Sequence, residues 1–333
     1  MLGMSETPVK RRGYGPPDGQ ASPRFSGVRT FMRVPHVGTT DGVDVAIVGI
    51  PFDTGTSFRP GARFGPMAIR NVSSLLRPFH PHHDVDVFEH LSVVDYGDAG
   101  VIPGNIERTY SSVAETLGQL ADAGVTCIGL GGDHSVTLAE LRALAERFGP
   151  LALLQFDAHG DTWDESFGER YSHGTTFRRA AEEGLLRTTS SIQVGMRGSL
   201  YQANDLRAGE DLGFQVITCD ELRSLGPQAF PQAVRDRVGD CPTFVSFDVD
   251  FVDPAFAPGT GTPEVGGVTS GEAMMFLRAL RGVNIVGSDC VEVAAAYDSP
   301  GEPTALLAAN VVWEMLALIA VHRRATNTST VAT

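Results

Sequence analysis

Cysteine is scarce in this chain of 333 residues: Cys127, Cys219, Cys241 and Cys290 lie far apart, in or beside apolar runs. No CxxC spacing occurs, so the pattern fits buried free thiols rather than a disulfide framework or a thiolate zinc knot. No run of Lys or Arg rises above the background, and the formal net charge is −14. Binding to phosphate backbones needs a basic footprint, so nucleic acid is not an expected partner. No apolar segment follows Lys10-Arg11-Arg12, so no secretory signal is read there. The most apolar long stretch, 305–321, carries Asn310 and Glu314 and fits a buried helix better than a membrane span. Taken together, these absences predict a cytoplasmic protein with neither membrane nor nucleic acid as partner.

What is present is alternation. Short apolar runs at 45–50, 92–95, 125–130, 151–156, 191–195, 214–218, 243–247 and 283–288 have strand character. Amphipathic stretches near 66–76, 106–123, 135–148, 203–212, 227–238, 270–280 and 304–320 separate or follow them with helical period. Strands apolar on both faces and interleaved with helices predict an α/β fold: a three-layer α/β/α sandwich with a mostly parallel sheet of about eight strands. No repeat or internal boundary is visible. Residues 25–323 therefore read as one domain, between a poorly ordered segment 1–24 and a flexible tail 324–333.

Three motifs follow strand-like runs: Gly131-Gly132-Asp133-His134-Ser135, Phe156-Asp157-Ala158-His159-Gly160-Asp161 and Ser246-Phe247-Asp248-Val249-Asp250. Each alone has an ordinary reading, as a helix cap, a strand end or a loop. Together they place four carboxylates and two imidazoles at strand ends, where ligands of open parallel sheets bind. If the chain stays extended, Asp157, His159 and Asp161 share a face, as do Asp248 and Asp250. Six such groups converge in one crevice only around strong cations. The oxygen-rich donor set favours Mn²⁺, with Co²⁺, Ni²⁺ or Fe²⁺ as competitors. Two adjacent ions can hold a bridging water and lower its pKa enough to supply hydroxide near neutrality.

At these residues the chain resembles the ureohydrolase family of arginases, agmatinases and guanidinobutyrases, over roughly residues 24–323. The resemblance also rests on Gly55-Thr56-Ser57-Phe58-Arg59-Pro60-Gly61-Ala62-Arg63-Phe64-Gly65-Pro66, Ser172-His173-Gly174-Thr175, Ala257-Pro258-Gly259-Thr260-Gly261-Thr262-Pro263 and Asp289-Cys290-Val291-Glu292-Val293. It implies two Mn²⁺ per subunit, one held by His134, Asp157, Asp161 and Asp248, the other by His159, Asp157, Asp248 and Asp250. It also implies assembly as a homotrimer or homohexamer, and hydrolysis of a small guanidino substrate by a metal-bridging hydroxide. In that chemistry Asp161 passes a proton to the departing amine, Glu292 pairs with the guanidinium, and His173 shuttles protons. Thr262 and Asp253 support or line the site; Asp253 equally suits a turn cap before Pro254.

The substrate tail divides two readings. Asp164, Glu165 and Glu169 form an acidic loop suited to the ammonium of agmatine, whereas Arg170, Arg178 and Arg197 could receive the carboxylate of 4-guanidinobutyrate. The wording around Phe58-Arg59-Pro60-Gly61 and Ser73-Ser74-Leu75-Leu76-Arg77-Pro78 favours the agmatinases, with Asp164 as a substrate-binding residue. A single-zinc deacetylase-like enzyme is disfavoured, because one zinc does not need six ligands. An inactive binding protein is disfavoured because every ligand position is filled.

Overall fold

The structure, a computed structural model, describes residues 13–331, with side chains described to residue 326. Its strands are β1 (Val45–Gly49), β2 (Phe79–His80), β3 (Val85–Asp86), β4 (Val93–Asp98), β5 (Thr126–Leu130), β6 (Ala152–Phe156), β7 (Ile192–Met196), β8 (Gln215–Thr218), β9 (Thr243–Asp248) and β10 (Ile285–Val291). Its α-helices are α1 (Gly65–Ser73), α2 (Val87–His90), α3 (Ile106–Asp122), α4 (Thr137–Phe148), α5 (Thr176–Glu182), α6 (Cys219–Val238), α7 (Ser270–Arg278) and α8 (Pro303–Val331).

Eight strands form one sheet in the order β4-β1-β5-β10-β9-β6-β7-β8. Every pairing in it is parallel. Side chains alternate across the strands and feed two cores. In β1, Val45 and Ile47 join the core that contains α1, α6, α7 and α8, while Ala46 and Val48 join the one under α3, α4 and α5. The result is a three-layer α/β/α sandwich.

Local chemistry sets the helix ends. Asn105 caps α3 by accepting the Arg108 N–H, and Thr269 with Glu272 forms a reciprocal capping box at the start of α7. Helix α8 is long and apolar enough to span a membrane by composition, but 78% of that window is buried against the sheet and its neighbours.

Several expected boundaries shift. Residues 1–12 lie outside the described residues, but Tyr14, expected in the unordered segment, donates its N–H to Ser92 Oγ and accepts the Val93 N–H. The expected tail at 324–333 falls largely within α8, which runs to Val331. The expected helix at 203–212 is two short 3₁₀ turns, Asp205–Arg207 and Glu210–Leu212. Ala208 and Gly209 between them keep right-handed helical angles, but the bonds here reach back three residues, as Arg207 to Asn204 and Leu212 to Gly209. Helix α6 begins earlier than expected, at Cys219, and kinks at Gly226 before Pro227.

The order places β5, β10, β9 and β6 side by side at the centre. Their carboxyl ends carry His134, Glu292, Asp248 and Asp157, so the fold itself gathers the three motifs and the Glu292 segment at one edge.

Candidate metal centre

After β5 the chain passes through a gap that only glycine fits. A Cβ on Gly132 would overlap the Phe52 carbonyl, and one on Gly131 would overlap the Val291 side chain. Asp133 then caps the turn His134–Val136, its Oδ1 accepting the Ser135 N–H while Oδ2 accepts the Gly55 N–H at 2.7 Å. Burial and the neighbouring Glu292 push the Asp133 carboxyl up to about 6.

The extended geometry expected after β6 and β9 does not persist. Strand β6 ends at Phe156, Asp157 bends back to accept the His159 N–H at 2.6 Å, and Asp161 adopts a left-handed φ of 50°. Asp248 ends β9 and caps a 3₁₀ turn, Val249–Phe251, which carries Asp250. Convergence therefore arises from turns rather than strand alternation. Phe251 anchors one of them, fully buried against Phe156 and Phe247. Such burial contributes roughly 1.5–3 kcal/mol.

Two groups of donors result. Nδ1 of His134 lies 2.9 Å from Asp161 Oδ2, 3.0 Å from Asp157 Oδ2 and 3.4 Å from Asp248 Oδ2. Nδ1 of His159 lies 3.0 Å from Asp250 Oδ2 and 3.6 Å from Asp157 Oδ1. Asp157 thus belongs to both groups, one oxygen facing each imidazole. His134 Nδ1 and Asp250 Oδ2 are buried without a hydrogen-bond partner.

The orientation of His134 follows from what lies behind it. Ser246 Oγ donates to Asp289 at 2.7 Å, so its lone pairs face the His134 Nε2, 2.8 Å away. Nε2 therefore carries a proton toward Ser246, and Nδ1 points at the three carboxylates. Ser246 and Asp289 stood inside quoted motifs without a role; a polar side chain in a wholly buried strand was the signal for both.

The electrostatics call for cations. Burial and the neighbouring Asp250 and Asp157 raise the Asp248 carboxyl well above its usual range, and burial with Asp157 pushes Asp250 up to about 6. Burial opposes charge on His134, but Asp157, Asp161 and Asp248 outweigh it and hold the ring protonated well above its usual range. A proton there stands where a cation would neutralise the same carboxylates. The donor set and its unpartnered atoms fit divalent metal ions.

Behind the ligands, Glu292 has a left-handed φ of 63°. Its Oε1 accepts the His134 N–H at 2.9 Å and faces His173 Nδ1 at 3.1 Å, while Oε2 is buried without a partner. Glu292 does not line the open cleft. That cleft spans about 750 Å³, its mouth included, and is bordered by Asp161, His173, Thr262 and Asp248 near the donors. Farther out stand Trp163, Tyr201 and Asp205.

The expected tail residues separate in the structure. Arg197 borders the cleft, but its guanidinium is spent on the carbonyls of Gly195, Asp250, Phe251, Glu264 and Val265. It secures the Asp250 turn instead of waiting for a carboxylate. Arg170 pairs with Glu182, and Arg178 donates to the Thr162 carbonyl. Asp164 borders an outer chamber with Glu165, yet one of its oxygens is 2.6 Å from buried Arg179. Asp253 accepts the N–H groups of Ala255, Gly266 and Gly267, which makes it a turn cap.

Comparison with known proteins agrees with this geometry. Residues 43–317 match the model of the arginase family. The chain is 41% identical to a guanidinobutyrase of Pseudomonas aeruginosa over 309 residues, covering 92% of this chain and 97% of the relative. It is 44% identical over 306 residues to a mitochondrial agmatinase of Gallus gallus, covering 91% and 89%. The solved structure of proclavaminate amidino hydrolase from Streptomyces clavuligerus superposes with a TM-score of 0.87 at 41% identity, covering 90% of this chain and all of that one.

Proposed function

This chain belongs to the arginase family and is a ureohydrolase of guanidino compounds, and we propose that its substrate is agmatine, cleaved to urea and putrescine. One observation carries the choice of tail. Among the described residues bordering the inner cleft, Arg197 is the one Arg or Lys, and backbone carbonyls consume its donors. The mouth instead offers the Asp205 carboxylate and the paired rings of Trp163 and Tyr201, 5.8 Å apart. A carboxylate and aromatic faces receive an ammonium and repel a carboxylate.

In this proposal His134, Asp157, Asp161 and Asp248 hold one divalent cation, and His159, Asp157, Asp248 and Asp250 the other, with Mn²⁺ favoured by the carboxylate majority. When bound, the ions supply an activated water and offset charge developing at the guanidinium carbon. Glu292 offers Oε2 to the guanidinium N–H groups, with His173 moving off its position beside Oε1 as the substrate enters. Asp161 holds the proton given up by the attacking water and returns it to the departing amine nitrogen. His173, joined to the Ser57 hydroxyl, carries protons between the cleft and that nitrogen.

A second reading, 4-guanidinobutyrate, is favoured by the identity to the Pseudomonas guanidinobutyrase. Urea release from agmatine, 4-guanidinobutyrate, 3-guanidinopropionate and arginine, with Mn²⁺ supplied, decides between them. The highest kcat/KM is expected for agmatine. Preference for either guanidino acid overturns the assignment of the tail.

A further inference from the structure

Glu140 takes no part in the chemistry above. It lies in the first turn of α4, 1% exposed, and its Oε1 has no hydrogen-bond partner. Strands β5, β10 and β9 set Gly129, Asp289 and Ser246 in one row, with Asp289 in register with Gly129 on one side and Ser246 on the other. The bare Gly129 leaves the space that the Glu140 carboxyl fills; a Cβ there would stand 2.7 Å from both of its oxygens. So placed, the Glu140 carboxyl lies beside Asp289, the register partner of Gly129, and Thr137 of the same helical turn bonds that carboxylate.

Two carboxyls side by side in a dry core cannot both be ionised, so one holds a proton. No Arg or Lys is among the groups acting on the pair. His134 and the Cys127 thiol are the other titratable groups close enough to exchange charge effects with Glu140, and Cys290 adjoins Asp289 in the chain. The direction of the other bonds identifies the holder. Asp289 already accepts from two hydroxyls, Ser246 through Oδ1 at 2.7 Å and Thr137 through Oδ2 at 2.5 Å. It is the acceptor of the set, and the donor facing it must be Glu140.

We infer that Glu140 is a standing carboxylic acid whose proton, donated to Asp289, makes it a positioning residue for the metal ligand His134. The row reads Glu140 to Asp289, Ser246 to Asp289, and His134 Nε2–H to Ser246. A third donor on Asp289 holds the Ser246 rotamer, and through it the aim of His134 Nδ1. Burial together with Asp289 raises the Glu140 carboxyl well above its usual range, in the same direction. The positioning role rests on the metal-site reading above; the protonation of Glu140 does not.

Infrared spectroscopy of the manganese-loaded enzyme at neutral pH tests the protonation. With the ligand carboxylates ionised by the metal, a protonated-carboxyl band is expected and Glu140→Gln removes it. Absence of the band in the wild type, or its survival in Glu140→Gln, overturns the assignment. Calorimetric titration with manganese chloride tests the positioning. Glu140→Gln keeps a donor toward Asp289 and should hold affinity within about threefold, whereas Glu140→Leu should weaken it about tenfold. Equal affinity in wild type and Glu140→Leu overturns the role. The infrared comparison uses only the near-isosteric Gln variant, so it stands even if the Leu variant does not fold. A missing urea product with the band present would indict the substrate reading alone.

Discussion

Nδ1 of His173 lies 3.1 Å from Oε1 of Glu292, while Nε2 of the same ring lies 2.7 Å from the Ser57 hydroxyl. One imidazole thereby ties the 55–57 loop, the end of β10 and the edge of the cleft. Burial opposes a charge on this ring, but Glu292 outweighs it and pushes the pKa up to about 9. The pair is an ion pair waiting for a competitor, since a guanidinium offers Glu292 more donors than an imidazolium does.

Replacing Glu292 with Gln tests that competition. The amide keeps the shape and can still accept the His134 N–H, so bound manganese should stay at the wild-type level. Loss of the charge should lower kcat/KM for agmatine about a hundredfold or more. Steady-state kinetics with elemental analysis of the same sample separates the two effects. Wild-type kcat/KM would remove Glu292 from the guanidinium pocket.

Asp250 makes a different prediction. Its Oδ2 stands 3.0 Å from His159 without a hydrogen-bond partner, and its Oδ1 accepts the Ala158 N–H. Asp250→Asn should keep that turn while weakening one of two ions, and turnover should fall by about two orders of magnitude or more. Metal titration should then resolve one tight and one weakened site. Two unchanged sites would contradict the ligand assignment.

Much of this site could be read from residues 131–135, 156–161 and 246–250, because buried carboxylates in that density have few physical explanations. Their placement after three strands of a parallel sheet was equally legible from the alternation of elements. The reason for convergence was not. Alternation along an extended chain predicted the shared face, whereas Asp161 is turned by its left-handed backbone and Asp250 by a 3₁₀ turn. Arg197, weighed from the sequence as one possible receiver of a carboxylate, is spent on backbone carbonyls up to 68 residues away, partners that local sequence does not reveal. Ser246, Asp289 and Glu140 meet only through sheet register, which local sequence does not encode.

The glycines at the end of β5 offer a test of the frame. A Cβ at Gly132 would overlap the Phe52 carbonyl, a backbone atom that cannot swing aside. Gly132→Ala should therefore shift the whole His134 turn and destabilise the fold by about 3 kcal/mol or more. Urea unfolding of the metal-free protein measures this apart from any loss of manganese. An unchanged midpoint would show that the chain can pass this gap with a side chain present.

Far from the cleft, Glu314 of α8 accepts from His80 at 3.0 Å, His83 at 2.5 Å and Arg278 at 3.2 Å, with no exposure of its own carboxylate. Burial alone would raise this carboxyl, but the His80 and His83 bonds outweigh it and depress it from 4.5 to about 2. A folded-state pKa below the unfolded one contributes stability that is fully present above pH 4.5. That contribution is lost as the pH falls through 4.5 toward 2. At about 1.4 kcal/mol per pH unit it is on the order of 3 kcal/mol. Glu314→Gln should lower stability at neutral pH and flatten its dependence between pH 4.5 and 2, because the amide does not titrate. Urea midpoints of both proteins across that window measure the difference. Parallel curves would mean that the bonds of Glu314 to His80 and His83 do not supply this stability.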